Sequence, residues 1–250
     1  FKEASQVNGF SDKLELQNND INFATPIYNV KINQDTQLTN TEKLMITGTL
    51  NTGGYQFATT GNIDAERLDM GGAGVEIAGD VAVRTMNVSG SDNLIKGNLM
   101  ANGGGAAFKR GSLEVGGNAE FNNGFLQMQD TEDKLLVKGN LTLGETYGSS
   151  KGDCLTNGTV EVKGDFTSNY KDTGSNWYGY YETNMHKTIF SGEKTQKISF
   201  KEPSQVNGFN ENLELQNNNI NFATPLYSLT VNNDMTISKT EDLQIVTQLI

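Results

Sequence analysis

Leu135-Leu136-Val137-Lys138-Gly139-Asn140-Leu141 is the stretch on which the reading of this chain turns. Leu135 and Val137 alternate with polar or outward positions, Gly139-Asn140 interrupts, and the alternation resumes at Leu141. Period-2 alternation of aliphatic residues is the signature of a strand with one buried face. A Gly-Asn dipeptide between two such runs marks a corner. The stretch therefore reads as strand, corner, strand.

The same unit recurs. Gly followed by Asn, Asp or Thr stands at Gly48, Gly61, Gly79, Gly97, Gly117, Gly139 and Gly164, at intervals of 13, 18, 18, 20, 22 and 25 residues. Two residues before these glycines stand Ile46, Thr59, Ile77, Ile95, Val115, Val137 and Val162. Two residues after stand Leu50, Ile63, Val81, Leu99, Ala119, Leu141 and Phe166. Those side chains are expected to point inward. Each glycine is expected to supply the positive φ of a sharp corner. A strand-corner-strand unit returning about every 20 residues predicts stacked coils: an all-β, right-handed parallel β-solenoid, or β-helix, with right-handed coiling as the default for parallel crossovers. A hairpin sandwich would show turn signals every 8–12 residues.

A longer period encloses the short one. Residues 1–28 reappear at 200–227 with 22 of 28 positions identical, an offset of 199. Ile27, Val30, Ile32 and Leu38 become Leu226, Leu229, Val231 and Ile237, while Lys13, Lys31 and Gln37 become Asn212, Thr230 and Thr236. Class is kept while identity changes, as expected where burial and shape are what matter. Residues 1–199 thus read as one full long repeat of a continuous solenoid and 200–250 as the start of the next, a window onto a longer array. Whether 199 residues close on a whole number of coils is left open by residues 169–200, where the corner pattern lapses.

Composition fits this architecture and excludes several others. Of 250 residues only 35% are hydrophobic, Gly numbers 28, and net charge is −11. A thin core with many turns results. The acidic balance and the lack of a basic stripe argue against nucleic acid. No apolar run is long enough to insert in a membrane. Cys154 is the single cysteine, so no disulfide can form within the chain.

Few residues invite a chemical role. Trp177, Tyr178, Tyr180 and Tyr181 lie in a rhythm-breaking segment, 169–184, that reads as a projecting loop, as does 144–157. Such aromatics can stack on sugars or anchor a protein, or pack the loop back onto the stack; packing is the expected role. Asp130, Glu132 and Asp133 form an acidic run that could hold Ca2+, without EF-hand spacing; a solvated turn is the simpler reading. Gly71-Gly72-Ala73-Gly74-Val75-Glu76 partly matches a calcium-binding nonapeptide but lacks its Asp and a tandem copy. His186 and Cys154 form no triad or zinc spacing. No carboxylate pair stands out for sugar cleavage. No cofactor is expected.

The phrases Val160-Glu161-Val162-Lys163-Gly164-Asp165-Phe166 and His186-Lys187-Thr188-Ile189-Phe190-Ser191-Gly192-Glu193-Lys194-Thr195-Gln196-Lys197-Ile198-Ser199-Phe200, with Leu135–Leu141, resemble the long tandem repeats of β-rich secreted or cell-surface proteins of anaerobic Firmicutes, clostridia above all. Residues 130–230 carry the resemblance best. It implies an extracellular location and further copies of the repeat in cis, and brings no catalytic residues. The expected function is a structural, non-enzymatic segment of an extracellular filament or cell-surface stalk, with adhesion as an added possibility and neighbouring filaments or glycans as partners. The alternatives are a glycan- or protein-binding module working through Trp177–Tyr181, and a polysaccharide-active β-helix enzyme.

Overall fold

The computed structural model describes residues 20–72, 74–149, 154–174, 177–209, 212–230, 237 and 243–249. The repeated segment 1–19, Ala73 of the glycine run, residues 150–153 of the first excursion, Asn176 beside Trp177, and Val231 and Thr236 of the second copy lie outside them. The chain is all-β: strands stack in parallel into a β-solenoid, and the described residues contain no helix.

Three flat faces wind around one narrow core. On the first, the inward column runs Leu38, Thr59, Ile77, Ile95, Val115, Val137, Val162, Phe190 and Leu215, each paired with the next. On the second it runs Leu44, Ile63, Val81, Leu99, Ala119, Leu141, Phe166, Ile198 and Phe222. On the third it runs Val30, Leu50, Leu68, Met86, Ala106 and Leu126. All of these residues are buried. Alternation along each strand and repetition between turns produce this jointly: a one-residue slip would turn a whole column outward.

Eight register steps carry Leu44 to Phe222. Phe222 repeats Phe23 at the long offset, and Phe23 packs against the same core one turn before Leu44. Thr41 Oγ1 donates to Ile21 O across that turn at 2.7 Å. The 199-residue period therefore closes on nine turns. The pairings themselves repeat: Ile27 with Ile46 and Val30 with Leu50 become Leu226 with Ile245 and Leu229 with Leu249, each shifted by 199. The second copy continues the stack, since Leu213–Leu215 and Ile220–Phe222 pair onto Lys187–Phe190 and Gln196–Phe200.

The glycines mark corners for a different reason from the one expected. None of the seven has positive φ. They are glycine because turns approach too closely for a Cβ: at Gly117 it would lie 2.5 Å from Asn98 Oδ1 and 2.8 Å from Gly97 O. The same crowding repeats at Gly79, Gly97, Gly139 and Gly164, each above the glycine one turn earlier. The residue after each glycine builds a ladder beside it. Asn62, Asp80, Asn98, Asn118 and Asn140 each accept, through Oδ1, the backbone N–H of the next member, at 2.7–2.9 Å, ending on Asp165. Asp165 in turn accepts Lys197 N–H at 2.8 Å.

Gly48 does not belong to this column. It lies within the Lys43–Asn51 strand at a register shift between Ile46 and Thr49, over Asn29, at the bend between the second and third faces. That explains the short first interval of 13. Positive φ occurs instead at the third corner, between the third face and the first, at Gly53, Gly74, Gly90, Asp92 and Arg110, and at the bend between the second and third faces, at Gly103, Gly105 and Asn123.

Candidate interaction surface

The longest insertions in this solenoid follow the second face. After the second face ends, the described chain leaves the stack at 123–125, 144–149, 169–174 with 177–179, and 201–207. Across the last three of these turns the third face is reduced to single bridges, Met128 with Leu155 and Leu155 with Glu182, then Tyr181 with Gly208. The excursions stack on each other as a ridge. Gly148 N–H donates to Gly124 O at 2.8 Å, Ser149 and Tyr178 exchange two backbone bonds at 3.0 and 2.9 Å, and Gly179 N–H donates to Val206 O at 2.7 Å. Loops held on a rigid scaffold are where binding groups concentrate.

The aromatic cluster divides between core and surface. Tyr180 is fully buried among Phe166, Phe209 and His186, with its ring 5.1 Å from Phe166. Phe166 also meets Phe190, Phe200 and Phe209 within 6 Å. These rings fill the volume left where the third face thins. The Tyr180 hydroxyl lies 2.7 Å from Thr188 Oγ1, which donates to Glu182 Oε1. Burial, and then the Glu182 carboxyl, raise the Tyr180 hydroxyl well above its ordinary pKa. Tyr178 and Tyr181 are half-buried and stack at 5.0 Å. Only Trp177 is exposed, at 47%.

Trp177 borders a cleft of about 270 Å³ between two excursions, lined also by Glu145, Thr146, Tyr147, Tyr170, Lys171 and Thr173. Tyr170, missed in the sequence as a site residue, closes the loop: its hydroxyl donates to Trp177 O at 2.8 Å and its ring packs on Gly179. Glu145 pairs with Lys201, whose ammonium holds that carboxyl below its usual range. The cleft thus offers one apolar indole face with a cation, a carboxylate and hydroxyls around it. That chemistry suits a polar ring compound.

The acidic run is a turn. Asp133 is buried, and its carboxylate accepts backbone N–H groups of Gly111 (3.2 Å), Gln129 and Asp130 (both 3.0 Å). Asp130 pairs with Arg110 at 2.9 Å, and this hydrogen bond, followed by that from the Glu132 N–H, lowers its pKa. The Asp130 and Asp133 carboxylates thus serve the fold, whereas Glu132 contributes its backbone N–H to Asp130 Oδ1 at 3.1 Å. Among the described residues no group of three or more His, Cys, Asp or Glu is placed to hold a metal. His186 is buried, with Nδ1 2.7 Å from Asn157 O and Nε2 without a hydrogen-bond partner. Burial pushes its imidazole down to about 4. Cys154 is half-buried where the chain rejoins the stack, its carbonyl accepting Met128 N–H at 2.7 Å. Among the described residues no helix is long and apolar enough to cross a membrane. No protein-family model, curated protein or solved structure matches the chain.

Proposed function

We propose that this chain is a length-giving, non-catalytic segment of an extracellular filament or cell-surface stalk. The observation that carries the reading is the recurrence of pairings at the long offset. Val30 with Leu50 and Leu229 with Leu249 are the same rung, one period apart, in one stack. A unit that closes on nine turns adds to the next without changing register. At about 4.8 Å per turn, each period adds roughly 43 Å of rod. Inter-turn ion pairs such as Lys43–Asp64 and Lys187–Glu214 keep the outside charged and soluble. The extracellular placement rests on the sequence resemblance. Electron microscopy of chains carrying one, two and four periods tests the reading. Rods that lengthen by about 43 Å per period at constant width are expected; compact particles would sink it.

Trp177 supports a second reading, in which the ridge binds a glycan. Trp177→Ala would then abolish retention on a glycan array while leaving the circular dichroism unchanged. A polysaccharide-cleaving role draws less support. On the outward column of the second face Asp64 and Glu120 are three turns apart, about 14 Å, too far for a catalytic carboxylate pair.

A further inference from the structure

The outward side of the first face carries a pattern that the core does not require. On seven successive turns its central column reads Glu76, Leu94, Glu114, Leu136, Glu161, Ile189 and Glu214, each paired in register with the next. Carboxylate and aliphatic alternate without a break. Lysines flank the aliphatic turns, Lys96 beside Leu94, Lys134 and Lys138 beside Leu136 and Lys187 beside Ile189, and one more, Lys163, stands beside Glu161. Each glutamate is paired diagonally to one of them, Glu76 to Lys96, Glu114 to Lys138, Glu161 to Lys134 and Glu214 to Lys187.

Avoiding stacked like charges explains the alternation of glutamate with something uncharged. It does not explain why that partner is Leu or Ile on a solvent-facing sheet. The second face lacks this alternation: on successive turns its outward column reads Asp64, Ala82, Met100, Glu120, Thr142, Thr167 and Ser199, with its two carboxylates three turns apart. The first face is also nearly balanced in charge, within a chain of net charge −11.

We propose that the first face is a lateral docking surface for a second copy of this chain. This rests on the rod reading in one respect: two copies must lie side by side over several turns. Face to face in register, glutamate would meet glutamate, and Lys134 and Lys138 would meet lysines. An offset of one turn removes the glutamate conflict and the meeting of Lys134 with Lys138, leaving Lys163 near a lysine of the other copy. Each glutamate then lies over an aliphatic side chain of the other copy, between its lysines, and the aliphatic stripe leaves water.

Size sets how strong the contact is. Seven turns and about four residues of strand give a patch of roughly 30 Å by 13 Å, about 400 Å² on each copy. Doubled, this falls short of the roughly 1,200 Å² of a stable interface, and two periods in tandem clear it. Association should therefore be weak for this chain and should tighten at least tenfold when the period is doubled.

Sedimentation velocity on this chain and on a two-period chain tests the proposal. The two-period chain should dimerise, and less so at high salt. Leu136→Thr with Ile189→Thr, made in both periods, should return it to monomer with unchanged circular dichroism. Glu114→Lys with Glu161→Lys should do the same, and mixing that chain with one carrying Lys134→Glu and Lys138→Glu should restore the dimer. A monomeric two-period chain that forms rods under the microscope overturns the docking surface and leaves the rod standing. A dimer indifferent to both sets of substitutions overturns it as well. Particles that are not rods overturn the rod reading and the docking surface with it.

Discussion

The side-chain amide of Gln196 donates to the carbonyl oxygen of Gly164 at 2.7 Å, across 32 residues of chain. Gln196 is where the glycine column ends, and its side chain fills the corner that glycine backbones fill in earlier turns. All four of its hydrogen-bonding positions are used. Nε2 also donates to Val162 O at 3.0 Å, and Oε1 accepts from Gly192 N at 2.8 Å and Asn217 Nδ2 at 2.9 Å. Replacing Gln196 with Leu strips Gly164 O and Gly192 N–H of this partner in a buried corner, while Val162 O keeps Ser191 N–H and Asn217 Nδ2 keeps Lys194 O. A loss of about 3 kcal/mol or more is expected, seen as a lower urea midpoint. An unchanged midpoint would show that water replaces the amide.

Gly117 and Gly54 separate close approach from backbone freedom. A Cβ on Gly117 would lie 2.5 Å from Asn98 Oδ1 and 2.8 Å from Gly97 O, whereas one on Gly54 would meet nothing within 4 Å. Neither has positive φ. Gly117→Ala should destabilise by about 2–3 kcal/mol through forced separation of turns, and Gly54→Ala by less than about 0.5 kcal/mol. Equal midpoints for the two variants in urea melts would contradict the stacking argument.

His186 makes the fold acid-sensitive. Its folded pKa of about 4 lies below the ordinary 6.5, chiefly through burial. Between those values the unfolded chain binds more protons than the folded one. Its contribution is therefore fully present above pH 6.5 and fades as pH falls toward 4. The shift corresponds to at most about 3 kcal/mol. His186→Gln should flatten the urea midpoint between pH 6.5 and 4 relative to the parent chain; an equally steep fall would assign the acid lability elsewhere.

Tyr180 and Trp177 should respond oppositely. Tyr180→Ala removes a fully buried ring from the Phe166 cluster, at a cost of about 3–5 kcal/mol. Trp177→Ala removes an exposed one and should move the thermal midpoint little. The reverse ranking in thermal melts would mean that the loop packs through Trp177.

Much of the fold was legible because its signals are local. Leu135, Val137 and Leu141 alternate within one strand-corner-strand unit, and each is buried. Phe57, Val75 and Ile77 follow the same rule. Gly48 was misassigned because a glycine in a bend and a glycine in a corner look alike; only its neighbour one turn below distinguishes them. Asn93 shows the converse. It occupies an inward position despite its polarity, because its Nδ2 donates to Ser112 O at 3.0 Å and lies 3.3 Å from two further carbonyls. The ridge was less legible. Tyr180 and Trp177 are three residues apart in similar sequence, and their burial depends on which one the stack beneath can accept.

Sequence by itself determined the β class, the twenty-residue rhythm, the long period of 199 and the inward positions, because alternation, corner residues and self-similarity are written along the chain. Tertiary structure decided that nine turns fill the period, that Gln196 replaces a glycine, that Tyr180 is core and Trp177 surface, and that glutamates and aliphatics alternate on one outer face. Each of those depends on which residues meet across steps of 18 to 32 residues. Excursions of unequal length set those steps, so the partners cannot be counted off in sequence. They are fixed by the register that buries three columns at once.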